Sequence, residues 1–292
     1  MTIRVLLAAA LLTAGSPKTA KRPAIAPVGE EQVSPKEQAI PEDLREKVKR
    51  SLDYGLELYL HDKVAAIGTD VVVENLHGQR LEDQGLAGYL TVRETNPGKA
   101  VPQIFGVVFY SSEQPPRTLF RVHVPIARDS KPTFERVNPP EPMDATGLAL
   151  VKARAAATKA AAPFQQSINT VVLPAGPFGE REGDLMVELL AGTKKPNTIV
   201  LGKHYRVIVS ADGVVRSTTP LSKQPIELDT RGPDGAEVVA LSSTQLVEDY
   251  PLETHVFASR QAKLPLYLMN DRGFWRVDGE KLEIKFLGAA GK

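Results

Sequence analysis

The residues best suited to chemistry in this chain are its five histidines, His61, His77, His123, His204 and His255, and the acids near them. Glu253-Thr254-His255 spaces a carboxylate and an imidazole two residues apart, which on a strand is one face. With His204 on a neighbouring strand, His204, Glu253 and His255 would make a three-ligand metal site able to activate water for hydrolysis. No His-Glu-x-x-His helix supports that reading, and ordinary sheet histidines are the plainer one. A second pattern is an aromatic-Arg-Val-x-Val phrase present twice, as Phe120-Arg121-Val122-His123-Val124 and Tyr205-Arg206-Val207-Ile208-Val209. Arg121 and Arg206, with Tyr205, are candidates to grip an anionic ligand, because a guanidinium can pair with it bidentately. The competing reading leaves both arginines solvated on strand faces.

Other reaction classes find no support. Gly-x-Ser-x-Gly does not occur, so an α/β-hydrolase elbow is excluded. Ser242-Ser243-Thr244 offers hydroxyls without an assignable base, and Gly176-Pro177-Phe178-Gly179 is a proline-broken turn rather than a phosphate loop. The absence of cysteine removes disulfides, thiol catalysis and thiolate metal sites together. Basic and acidic residues number 36 and 35, so a nucleic-acid partner has no bulk electrostatic support, and aromatics at 6% provide few stacking surfaces. No cofactor is expected.

The N-terminus sets the expected compartment. A basic start at Arg4, an apolar run over residues 5–14 and the small Gly15 and Ser16 have signal-peptide anatomy. Leu12-Thr13-Ala14-Gly15 is similar to a lipobox, but Ser16 stands where lipid attachment needs cysteine. Cleavage near residues 14–16 would leave a periplasmic or secreted protein without a membrane span. Residues 16–40, with prolines at 17, 23, 27 and 35, read as a disordered linker.

The rest of the chain must position the candidates. Pro41-Glu42-Asp43 opens a helix whose stripe is Leu44, Val48, Leu52, Leu56 and Tyr59, running to about residue 67 or 73. Strands are expected at 87–93, 104–110 and 118–126, with a short edge strand at 134–137 before Pro139-Pro140 breaks the chain. A second helix covers 145–162, capped by Asp144, and strands return at 170–173, 185–190, 198–201, 204–210 and 214–218. Asp212-Gly213 is a strong hairpin signal. Alternation turns Tyr205, Val207 and Val209 to the core and Arg206 to solvent. Five more strands are expected at 237–241, 253–259, 266–269, 274–277 and 281–286, with Phe274 and Trp275 as core.

The order helix, meander, helix, meander implies an α+β fold of two helix-plus-antiparallel-meander units, at 41–143 and 144–292, the second sheet extended by C-terminal hairpins. That order, with the Tyr205-to-Gly213 hairpin, resembles cystatin-like and PepSY-like exported modules. His204-Tyr205-Arg206 and Glu253-Thr254-His255-Val256-Phe257 are similar to phrases in uncharacterised exported proteins of Gram-negative bacteria. Neither likeness carries a catalytic residue across. The expected function is an exported cell-envelope module that binds a peptide, an envelope protein or a small ligand. The alternative is a metal-dependent hydrolase working through His204, Glu253 and His255.

Overall fold

One long helix, α1 (Arg45–Asn75), runs past the three four-stranded sheets of the fold. The computed structural model describes residues 37–94, 104–126, 130–161, 168–232, 235–245 and 247–289. The expected signal peptide, the linker as far as residue 36 and the connection at 95–103 between two expected strands lie outside the described residues. Among those described, three α-helices and fourteen strands give the expected α+β fold.

The first sheet is an antiparallel meander of β1 (Leu86–Glu94), β2 (Ile104–Ser111), β3 (Arg117–Pro125) and β4 (Thr133–Pro142), adjacent in chain order. β4 runs on through Pro139-Pro140, where a break is expected. It is the edge strand, where a missing N–H breaks no ladder. Phe120, Val122 and Val124 alternate inward from β3 and pack with Val64 and Val72 of α1.

Next come α2 (Ala145–Ala160), capped by Asp144 accepting from Gly147 N–H at 2.7 Å, and a second antiparallel sheet. Its strands are β5 (Ile168–Pro174), β6 (Leu185–Ala191), β8 (Tyr205–Val209) and β9 (Val215–Pro220). β7 (Thr198–Val200) leaves this sheet to pair with β10 (Glu227–Asp229). The Asp212-Gly213 turn joins β8 to β9 as expected, with Gly213 at φ +92°. The two aromatic-Arg-Val-x-Val phrases occupy the same place, the third strand of a four-strand meander. In each, the aromatic-x-Val-x-Val side faces the helix that precedes the meander: Val207 and Val209 are buried on α2, with Tyr205 partly buried beside them.

The C-terminal strands form a sheet of their own, the third of the four-stranded sheets, and do not extend the second. β11 (Leu241–Thr244) lies parallel to β12 (Leu266–Asn270), followed by β13 (Gly273–Asp278) and β14 (Glu283–Gly288) in antiparallel order. Residues 253–259, expected as a strand, belong to a helix, α3 (Glu253–Ala262), the crossover that a parallel β11–β12 pair requires. Trp275 and Val277 point into the core with Leu266 and Leu268, whereas Phe274 faces outward, against expectation. The linker's last residues are docked: Gln38 N–H donates to Phe286 O at 2.9 Å, and Lys285 pairs with Glu37.

α1 serves three cores in turn. Val48, with Leu44 just before the helix, packs with the third sheet, Leu58 with the second, and Val64 and Val72 with the first. Its most buried line is Val48, Ser51, Gly55 and Leu58, one residue round from the expected Leu52 and Leu56, which are only half-buried. Gly55 explains the offset. A Cβ there would lie 2.5 Å from Val256 Cβ and 2.8 Å from Glu253 O, so α3 crosses α1 where a side chain has no room.

Candidate functional site

The crossing of α1 and α3 lies over the face of the second sheet opposite α2. That face carries Met186, Leu190 and Ile208, covered by Leu58 of α1 and Phe257 of α3. β6 and β8 are therefore buried on both sides, and side chains that alternation would give to solvent are enclosed. Two of these are charged. Glu188 on β6 stands directly opposite Arg206 on β8, and the N-terminus of α3 places Glu253 over both.

Arg206 Nε donates to Glu188 Oε1 at 3.0 Å, and its Nη2 donates to Glu253 Oε1. The side chains of Glu188, Glu253 and Arg206 are 0, 1 and 11% exposed. The Arg206 guanidinium stacks on Phe178, 4.0 Å from the ring centroid, and Tyr54 meets that ring edge-on at 5.0 Å. Arg50 of α1 lies 4.8 Å from the same centroid. Burial would depress the Arg206 pKa, but Glu253 and then Glu188 more than offset it, and the guanidinium is held above its ordinary range. Burial, with Glu253 adding to it, pushes the Glu188 carboxyl up to about 8. Glu188 Oε2 receives no hydrogen bond. Two acids against one base, shut away from water, form the most unusual electrostatic arrangement among the described residues.

The geometry does not assemble the expected metal set. On a helix, residues two apart point to different sides, so Glu253 turns to Arg206 while His255 turns back to its own helix start. His255 Nδ1 accepts the Leu252 N–H at 2.9 Å, and burial, with His204 nearby, pulls its pKa down to about 3. His204 is engaged at both nitrogens: Nδ1 accepts from Ala191 N–H at 3.0 Å, and Nε2–H donates to Val200 O at 3.0 Å. That bonding assigns the neutral tautomer, and burial lowers the pKa to about 4. His204 thus staples the end of β6 to β7, behind a small pocket of about 140 Å³ lined by Asn169, Thr193, Thr198, Phe257 and Gln261. No group of three His, Cys, Asp or Glu able to hold a metal ion occurs among the described residues.

Arg121, at the matching point of the first meander, has a different setting. The face of β3 away from α1 is open, and Arg121 pairs with Glu141 at 2.6 Å and Glu135 at 3.5 Å on β4. Tyr205 shares the α2 side of β8 and does not point at Arg206, its chain neighbour.

One further cluster joins residues distant in sequence. Thr91 Oγ1 lies 2.7 Å from His61 Nδ1, with Glu57 3.8 Å from His61 Nε2. The order hydroxyl, imidazole, carboxylate copies a hydrolytic triad, but Glu57 gives both oxygens to Arg93, at 2.7 and 2.9 Å. Burial and Arg93 hold His61 near 4, a weak base. The cluster ties α1 to β1. No family model, curated protein or solved structure matches the chain.

Proposed function

We propose that this chain is a non-catalytic module of the cell envelope, exported by its N-terminal segment, that binds a protein or peptide partner. Every group with catalytic potential near the α1–α3 crossing is committed inside the fold. His204 and His255 hold backbone groups, and Arg206, Glu188 and Glu253 hold one another. The observation that carries a binding role is on the surface. On the outer face of the third sheet, Met269 of β12 stands directly opposite Phe274 of β13 with Tyr267 beside them, at 44, 45 and 38% exposure. Large apolar side chains grouped on one open sheet face suit protein contact. Arg276, opposite Tyr267, and Lys285 on β14 supply a polar border.

The test uses the double variant Met269→Glu/Phe274→Glu, which alters outward side chains and leaves the core intact. Immobilised native protein should retain one discrete envelope partner, and the variant should lose it at unchanged melting temperature. Capture of nothing specific, or equal capture by the variant, refutes the reading. Stoichiometric zinc with ester or peptide turnover by purified protein would refute it in favour of the hydrolase.

A further inference from the structure

We propose that Glu188 is a carboxylic acid in the native protein, that it donates its proton to Glu253, and that this bridge latches α3 to the second sheet and opens in alkali. The inference begins with donors and acceptors. An ionised carboxylate only accepts, and Arg206 reaches one oxygen of each glutamate. Glu188 Oε2 is buried with no donor. Arg206 Nε and Nη2 nonetheless hold Glu188 Oε1 and Glu253 Oε1 side by side on one guanidinium. Two acceptors in contact repel, and a proton on one turns that contact into a hydrogen bond and removes the surplus charge.

The charged surroundings supply no second cation bonded to Glu188. From α1, Arg50 and Tyr54 lie against the Phe178 ring that Arg206 stacks on, with the exposed Asp53 acting on Tyr54, and Glu248 and Tyr250 lie in the segment before α3. His204 is neutral and bonded to backbone. The balance among these groups holds the Glu188 carboxyl near 8, with burial the first cause and Glu253 the second. Its folded pKa lies above the ordinary carboxyl value, so the proton stabilises the fold at low and neutral pH, and that contribution is lost as pH rises through about 8.

The latch sits where it can act on one seam. Glu253 is in the first turn of α3, whose other end is tied to the third sheet: Ser259 Oγ accepts from Gly279 N–H at 2.9 Å, and Arg260 donates to Gly279 O at 2.6 Å. Deprotonation leaves two facing anions on one guanidinium and loosens the first turn of α3, with Leu252 before it, from the fold, while the end of α3 at Ser259 and Arg260 stays tied to the third sheet.

The chain's single tryptophan, Trp275, shares a core with Leu252 and Val256 at the α3 end of this seam and reports its opening. In native protein, infrared spectra at neutral pH should contain a protonated-carboxyl band that disappears near pH 8, with a reversible red shift of Trp275 emission over the same range. Glu188→Gln, which keeps a donor toward Glu253 and cannot ionise, should lack both the band and the shift. No band at pH 6, an unchanged emission up to pH 10, or the same alkaline shift in Glu188→Gln would each overturn the proposal. If Glu188→Gln fails to fold, the native band and its loss still decide the question.

Discussion

Replacing Arg206 by alanine, beside the same change at Arg121, separates a buried charge from a solvated one at matching places in two meanders. Arg206→Ala removes the cation bonded to both Glu188 and Glu253 and strips Phe178 of its stacked guanidinium. Breaking a buried pair from one side costs about 3–5 kcal/mol, because a charge is left without compensation. Arg121→Ala breaks two cross-strand pairs whose acids are half exposed, and exposed pairs are worth about 0–1 kcal/mol each. With a urea slope of about 3 kcal/mol/M for a chain of this size, the Arg206 midpoint should fall by about 1–1.7 M. The Arg121 midpoint should fall by less than about 0.7 M on the same slope. Arg206→Lys keeps the charge but loses the planar fork that spans both acids, so it should lie between them. Adding Glu253→Gln to Arg206→Ala should recover part of the loss, since the orphaned anion goes with it. If the two alanine variants agree within about 1 kcal/mol, the buried-cluster account is wrong.

Three other expectations follow from close contacts and bonds. Gly55→Ala gains helix propensity of about 1 kcal/mol yet should destabilise by about 1–3 kcal/mol net, because its Cβ meets Val256; a more stable variant in thermal melts would refute the crossing. His204→Phe strands the Ala191 N–H and Val200 O and should cost about 2–4 kcal/mol in denaturant titration, with metal content unchanged; loss of a bound metal would contradict the structural role. Gly213→Val places a β-branched residue at φ +92° and should cost about 1–3 kcal/mol, while a neutral result would rule out the tight turn.

Period-two and helical patterns carried the two meanders, both first helices and the Asp212-Gly213 hairpin, because those signals are local. The helix at Glu253 was missed because Thr254, Val256 and Phe257 favour strands and alternate like one. Opposing signs were present: Pro251 ahead, an acid in the first turn, Arg260 in the last, and Pro265 as a stop. Once that segment is a helix, Glu253 and His255 part company and the metal set dissolves. The burial of Arg206 depended on which side of the sheet α1 and α3 cover, a long-range fact that alternation along one strand does not contain. A trace of it was legible in β6. Leu185-Met186-Val187-Glu188-Leu189-Leu190-Ala191 is apolar on both faces but for one glutamate, and such a charge must meet an opposite one inside.

The buried ionisable groups together dictate a pH profile whose shape tests the proton assignment without any substitution. His61, His204 and His255 have folded pKa values lowered to about 4, 4 and 3, so the stability from keeping them neutral is complete above about 6.5 and is lost as pH falls toward 4. Glu188 works in the other direction, its contribution declining from about pH 4.5 until its folded value near 8 is passed. Each fully unmatched proton changes stability by about 1.4 kcal/mol per pH unit. Between about 4.5 and 6.5 the three histidines outweigh the one acid, and stability should rise with pH. Above about 6.5 only the acid remains, and stability should fall by about 2 kcal/mol before levelling beyond 8. Urea midpoints measured at half-unit steps from pH 5 to 9 would trace this maximum. A curve that stays flat or climbs between 6.5 and 8 would mean that Glu188 holds no proton in the fold, and Arg206 would then have to neutralise two carboxylates alone.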